Sequence, residues 1–145
     1  MDQEPITTIA HSIQLSVAPV FLLTGIAGLL NVLAGRLARV IDRARALERA
    51  LVGEEPNDAA HLHERLHTLA TRARWINIAI SLCVGSAILV ALVVVVLFTS
   101  AFWGSDYRGI VAGLFIGAML ALIGGLIFFM REIYLATSSL RIGSH

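Results

Sequence analysis

Three long apolar runs dominate the chain, and between the first two lies a polar segment with a periodicity of its own. The runs cover about residues 13–35, 75–98 and 109–130. Each reaches the roughly 20 apolar residues that a helix needs to cross a bilayer core. No Asp, Glu, Lys or Arg sits in the middle of any run. Pro19 lies inside the first and has no N–H for the carbonyl of Leu15. The pattern therefore predicts a helix that starts near Pro5 and kinks or loosens at Pro19. Trp75 and Trp103 flank the second run, where interfacial tryptophans belong.

The polar segment 36–74 reads as two heptad seams. Leu37, Val40, Ala44, Leu47 and Leu51 follow spacings of 3, 4, 3 and 4. Leu62, Leu66, Leu69, Ala73 and Ile76 follow spacings of 4, 3, 4 and 3. Between them Gly53, Glu54, Glu55, Pro56, Asn57 and Asp58 form a breaker, with Asn57 or Asp58 expected to cap the second arm. Folding at that breaker pairs Leu47 with Leu62, Val40 with Leu69 and Leu33 with Ile76. The arms would project roughly 25 Å from the bilayer. Two amphipathic helices lying on the membrane surface are the alternative. After the third run, residues 131–142 are expected to form a helical tail. Ile133, Ala136 and Leu140 lie on one face of it, and Gly143 ends it. The fold class is all-α: one domain, three transmembrane helices, and an antiparallel coiled-coil hairpin extending the first two spans.

Composition sharpens this picture. Hydrophobic residues make up 57% of the chain and charged residues 14%, against about 25% charged in soluble domains. A net charge of +1 is too small to argue for nucleic acid. Its distribution is more informative. All 11 basic residues are arginines, and eight lie between Arg36 and Arg74. Arg131 and Arg141 follow the third span, and only Arg108 falls on the opposite side. Basic residues near spans stay cytoplasmic. That places the hairpin and C-terminus inside and the N-terminus outside. The acidic start, Met1-Asp2-Gln3-Glu4, is unlike a signal peptide, so the first span is expected to be retained. The lone Cys83, inside an apolar run, reads as structural.

Gly109, Gly113, Gly117, Ala121 and Gly125 recur every four residues and make a flat strip for close helix packing. Ser81 with Gly85, and Gly28 with Gly25 or Val32, are its expected counterparts. A pore lining is the other use of such a strip. Asn31 and Asn77 fall at one depth under the hairpin register. Together they suggest an interhelical clamp or, alternatively, a polar vestibule. Thr8, Ser12 and Ser16 form a candidate pore line, although such hydroxyls also bond back to their own helix. Arg36, Arg43, Arg65 and Arg72 share one flank of the seam and face one another in pairs, while Glu48 faces His63 on the other flank. That basic face calls for water, anionic lipid headgroups or a neighbour's carboxylates. His61, His63 and His67 are poorly spaced for a metal site. No catalytic motif or cofactor fingerprint is present, so the expectation is not an enzyme, with no cofactor.

The stretches Ala18-Pro19-Val20-Phe21-Leu22-Leu23, Leu30-Asn31-Val32-Leu33, Arg36 to Arg45, Arg74 to Ile80 and Arg131-Glu132-Ile133 resemble a family of small bacterial membrane proteins known only as a domain of unknown function. The likeness covers nearly the whole chain. It implies a bacterial inner-membrane protein with the same three-span plan and carries no activity or ligand. The functional expectation is a self-associating, non-enzymatic membrane protein with a scaffolding or regulatory role. An oligomeric channel lined by the first helix is the alternative.

Overall fold

The computed structural model describes residues 3–53 and 55–140. They form three helices: α1 (Gln3–Leu51), α2 (Pro56–Trp103) and α3 (Arg108–Leu140). No strand occurs among the described residues. Each helix is long and apolar enough to cross a membrane, the pattern of a multi-pass membrane protein. Glu54, the expected tail residues Arg141 and Gly143, and the acidic start at Met1 and Asp2 lie outside the described residues.

The helix ends follow from local chemistry. Gly53, with φ of 117°, takes the left-handed conformation that stops α1. The expected cap of α2 at Asn57 or Asp58 is not formed. Both residues lie inside the first turn, and the carbonyl of Glu55 accepts the Ala59 N–H at 3.0 Å. Pro56 explains the difference, because a proline suits the first helical position, where its missing N–H would have had no partner. Gly104, with φ of 61°, ends α2. The Asp106 carboxylate accepts the Arg108 N–H at 3.3 Å where α3 begins. α1 remains helical through Pro19.

The chain divides into two compact units, and every helix contributes to both. The first unit takes α1 up to Leu30 together with Leu82–Ile123. Its core is Ile26, Cys83, Val90, Val93 and Ala118, with Ser86 buried among them. The Ser86 hydroxyl donates to the carbonyl of Ala118 at 2.7 Å. Close by, an added Cβ on Gly117 would meet Leu89 Cδ1 at 3.6 Å. The counterpart of the glycine strip is therefore Ser86 and Leu89, not Gly85 and Ser81. Gly85 has nothing within 4 Å of an added Cβ, and the Ser81 hydroxyl bonds back to Asn77 O at 2.9 Å. A serine one position beyond the glycine can reach a carbonyl across the contact, which glycine cannot.

The second unit takes Asn31–Ser81 with α3 from Gly124 onward. Leu33, Val40, Ile76 and Ala79 are its buried apolar residues. Leu37, Ala44, Leu47, Leu51, Leu62, Leu66, Leu69 and Ala73 are half-buried, and the polar positions between them are mostly exposed. Large apolar side chains elsewhere, such as Phe21 and Leu120, are exposed, as suits a lipid-facing surface.

Ser86→Ala removes a buried hydrogen bond between α2 and α3. We expect it to lower unfolding stability in detergent by about 0.5–1.5 kcal/mol. Thr99→Ala, whose hydroxyl returns to its own helix at Val95 O, should cost less. Equal losses in a denaturation titration would contradict the distinction.

Candidate functional site

The most unusual group in the second unit is a carboxylate. After the apolar run of α3 the sequence turns to Arg131-Glu132, and the Glu132 side chain is 1% exposed. An ionised carboxylate that far from water needs charged partners. Two are supplied. Arg36 Nη1 of α1 donates to Glu132 Oε2 at 2.9 Å, and Arg72 Nη2 of α2 donates to Oε1 at 3.0 Å. One residue of α3 thus ties together all three helices.

Helical spacing explains the surroundings. Phe129 lies three residues before Glu132, on the same side of α3, and the Arg36 guanidinium packs over its ring at 5.2 Å. Phe128 and Arg131 form a second pair three apart, and both meet Trp75 of α2. The Trp75 and Phe128 rings stack at 5.4 Å, and the Arg131 guanidinium lies over Trp75 at 5.6 Å. Adjacent residues on a helix point about 100° apart. Arg131 and Glu132 can therefore serve different neighbours while adjacent in the chain.

The cluster carries two guanidiniums and one carboxylate, a net charge of +1. Arg72 is 19% exposed and Arg36 35%. Arg72 Nε is buried without a hydrogen-bond partner. This arrangement holds charge and fixes helix positions. Because buried ion pairs lose much of their attraction to desolvation, the net stabilisation from these pairs is smaller than their short distances suggest.

The other candidates fall into place around it. Of the four arginines of the basic face, Arg36 and Arg72 converge on Glu132. Arg43 and Arg65 are exposed and carry no ion pair among the described residues. Asn31 and Asn77 are both exposed and no hydrogen bond joins their amides, so the clamp between them is not formed. They sit beside the buried Leu33 and Ile76 rather than in the seam itself. Ser12 and Ser16 are buried in the first unit, and their hydroxyls donate to Thr8 O and Ser12 O on their own helix. Gly109 and Gly113 are exposed with nothing within 4 Å of an added Cβ, whereas Gly117 meets Leu89 and Gly125 is buried. Ala121 is half-buried. Among the described residues no group of three or more His, Cys, Asp or Glu could hold a metal ion. His61 lies 4.0 Å from Glu64, with both exposed.

Glu132 is the residue that sequence reasoning missed. The signal was there: it is the one carboxylate side chain after Asp106, directly following an apolar span. Arg36 and Arg72 were expected to face each other and lacked a counter-charge.

Glu132→Gln leaves two guanidiniums without an anion, and we expect a loss of about 3–5 kcal/mol of stability. Arg36→Leu combined with Arg72→Met and Glu132→Leu should recover most of it, because no buried charge is then left unpaired. Unfolding titrations in one detergent check both. A triple variant no more stable than Glu132→Gln would contradict the electrostatic account.

No curated protein and no solved structure matches the chain. A family model described as protein of unknown function (DUF2721) matches residues 16–142. That span contains Arg36, Arg72 and Glu132, the second and third apolar runs and all but the start of the first, and the chain belongs to this family.

Proposed function

We propose that the protein is a non-enzymatic integral membrane protein that self-associates and serves as a scaffold or regulator for another membrane component. The observation that carries this reading is the divided glycine strip. Gly117 and Gly125 are covered within the chain, but Gly109 and Gly113 are bare. Helices in lipid gain little from burying leucine, because lipid is equally apolar. Close backbone approach at small residues is what favours association. A second copy is the partner that suits a strip of this kind.

The segment 36–74 is read as an antiparallel coiled-coil hairpin. In its support, the heptad positions are the buried and half-buried ones, and Val40, Ala44, Leu66, Leu69 and Ala73 line one groove of about 370 Å³. Helices lying flat on a membrane would have no reason to cover those faces against each other. The arginine distribution supports a cytoplasmic hairpin and C-terminus and an external N-terminus, and the family resemblance supports a bacterial inner-membrane location. Arg43 and Arg65 remain available to anionic groups. The channel reading is the weaker one, because Ser12 and Ser16 of its candidate line are buried within a single chain.

Gly113→Ile tests self-association. The position is open in its own chain, so the variant should fold normally yet shift from oligomer towards monomer in native mass spectrometry. A wild-type protein already monomeric in nanodiscs and mild detergent would overturn the reading. Orientation is tested by Asp58→Cys in a Cys83→Ala background. The new thiol should resist a membrane-impermeant reagent in intact cells and react after lysis. Labelling in intact cells would reverse the topology.

A further inference from the structure

Beside the Glu132 cluster, but separate from its ion pairs, the second unit has a groove of about 520 Å³ lined by Trp75, Ile127, Met130, Arg131, Tyr134 and Leu135. Its composition changes along α3. Ile127 and Met130 are exposed and belong to the apolar run. Arg131 and Tyr134 follow directly where that run ends, and Tyr134 is 77% exposed. Glu132 is already bound to Arg36 and Arg72, so it does not neutralise Arg131. Neither the Arg131 guanidinium nor the Tyr134 hydroxyl has a hydrogen-bond or ion-pair partner among the described residues. The Trp75 ring, stacked with Phe128, carries the Arg131 guanidinium over its face. The guanidinium therefore keeps its planar edge free for an anion.

We infer that this groove binds the phosphate of an anionic phospholipid, with Arg131 and Tyr134 holding the headgroup and Ile127 and Met130 receiving the upper acyl chain. Charge complementarity and the order of the residues carry it. A cation and a phenol sit at the polar end of an apolar helix, which is where a lipid changes from headgroup to chain. A soluble anion would use the first pair and have no use for the second. The inference rests on the membrane-spanning part of the reading above and names a lipid site there. It does not depend on self-association, so a monomeric protein leaves it standing.

The test is native mass spectrometry of the full chain, released from vesicles of equal phosphatidylglycerol and phosphatidylcholine. Retained phosphatidylglycerol should exceed phosphatidylcholine. Arg131→Ala should cut that preference about fivefold, equivalent to about 1 kcal/mol for one basic residue at a membrane surface. Arg131→Lys should keep most of the preference, and Tyr134→Phe, which preserves the ring and its packing, should lower it by a smaller factor. Arg108→Ala, remote in sequence and already beside Asp106, should leave it unchanged. Millimolar glycerol phosphate should not displace the lipid. An unchanged preference in both Arg131→Ala and Tyr134→Phe would overturn the proposal, as would displacement by glycerol phosphate, which would make the site one for a free anion.

Discussion

A carboxylate removed from water restricts everything packed around it. Glu132 is such a group, and its two oxygens are satisfied by arginines from two other helices. Apolar contacts tolerate sliding, because one methyl substitutes for another at little cost. A carboxylate held by one charged hydrogen bond on each oxygen, from two different helices, tolerates it far less. The second unit therefore has one rotation and one depth for α3 at which Arg36, Arg72 and Glu132 meet. Phe129 under Arg36 and Phe128 against Trp75 follow from that rotation, since they lie three residues before Glu132 and Arg131. Net stabilisation need not be large for this to matter. What the cluster supplies is a single answer where leucine-rich surfaces would accept several.

The first unit has a different problem. It contains little polar chemistry, and apolar side chains gain nothing by leaving lipid for protein. Its specificity comes from shape and from the hydrogen bond of the Ser86 hydroxyl to Ala118 O, beside the contact of Gly117 with Leu89. Ser12 and Ser16, donating to their own helix, lower the cost of buried hydroxyls without fixing a neighbour. The two units thus divide the fold between ionic registration and close packing. The bare glycines at Gly109 and Gly113 lie in the unit that relies on close packing, where a second helix would use the same mechanism.

The aromatic residues near the ends of the spans are not equivalent. Trp103 is exposed, as an interfacial tryptophan would be. Trp75 instead contacts both Phe128 and Arg131 of α3, so its ring is partly structural. The same contact leaves Arg131 oriented and without a carboxylate. The arginines therefore separate into a bound set, Arg36 and Arg72, and others with unfilled donors. The distinction depends on which helix face each occupies, not on the number of charges.

The sequence by itself determined the helices. Three apolar runs of bilayer length, with Gly53 and Pro56 as punctuation between the first two, lead to helices, because each signal is local and the helical period can be read directly. The heptad positions were legible for the same reason, and they include the buried Leu33, Val40 and Ile76. The convergence of Arg36 and Arg72 was legible in part, because the heptad spacing leads one to expect the two to face each other. Tertiary structure alone decided what met them. Nothing in the spacing of α3 relates its rotation to α1 and α2, since its apolar residues run all the way around and its glycine strip suits several neighbours. The rotation was settled by contacts between residues 60 and 96 positions apart in the chain. It placed Glu132 between the arginines of α1 and α2. Local pattern fixes which surfaces a helix has. Only the partner chosen across space fixes which surface is used.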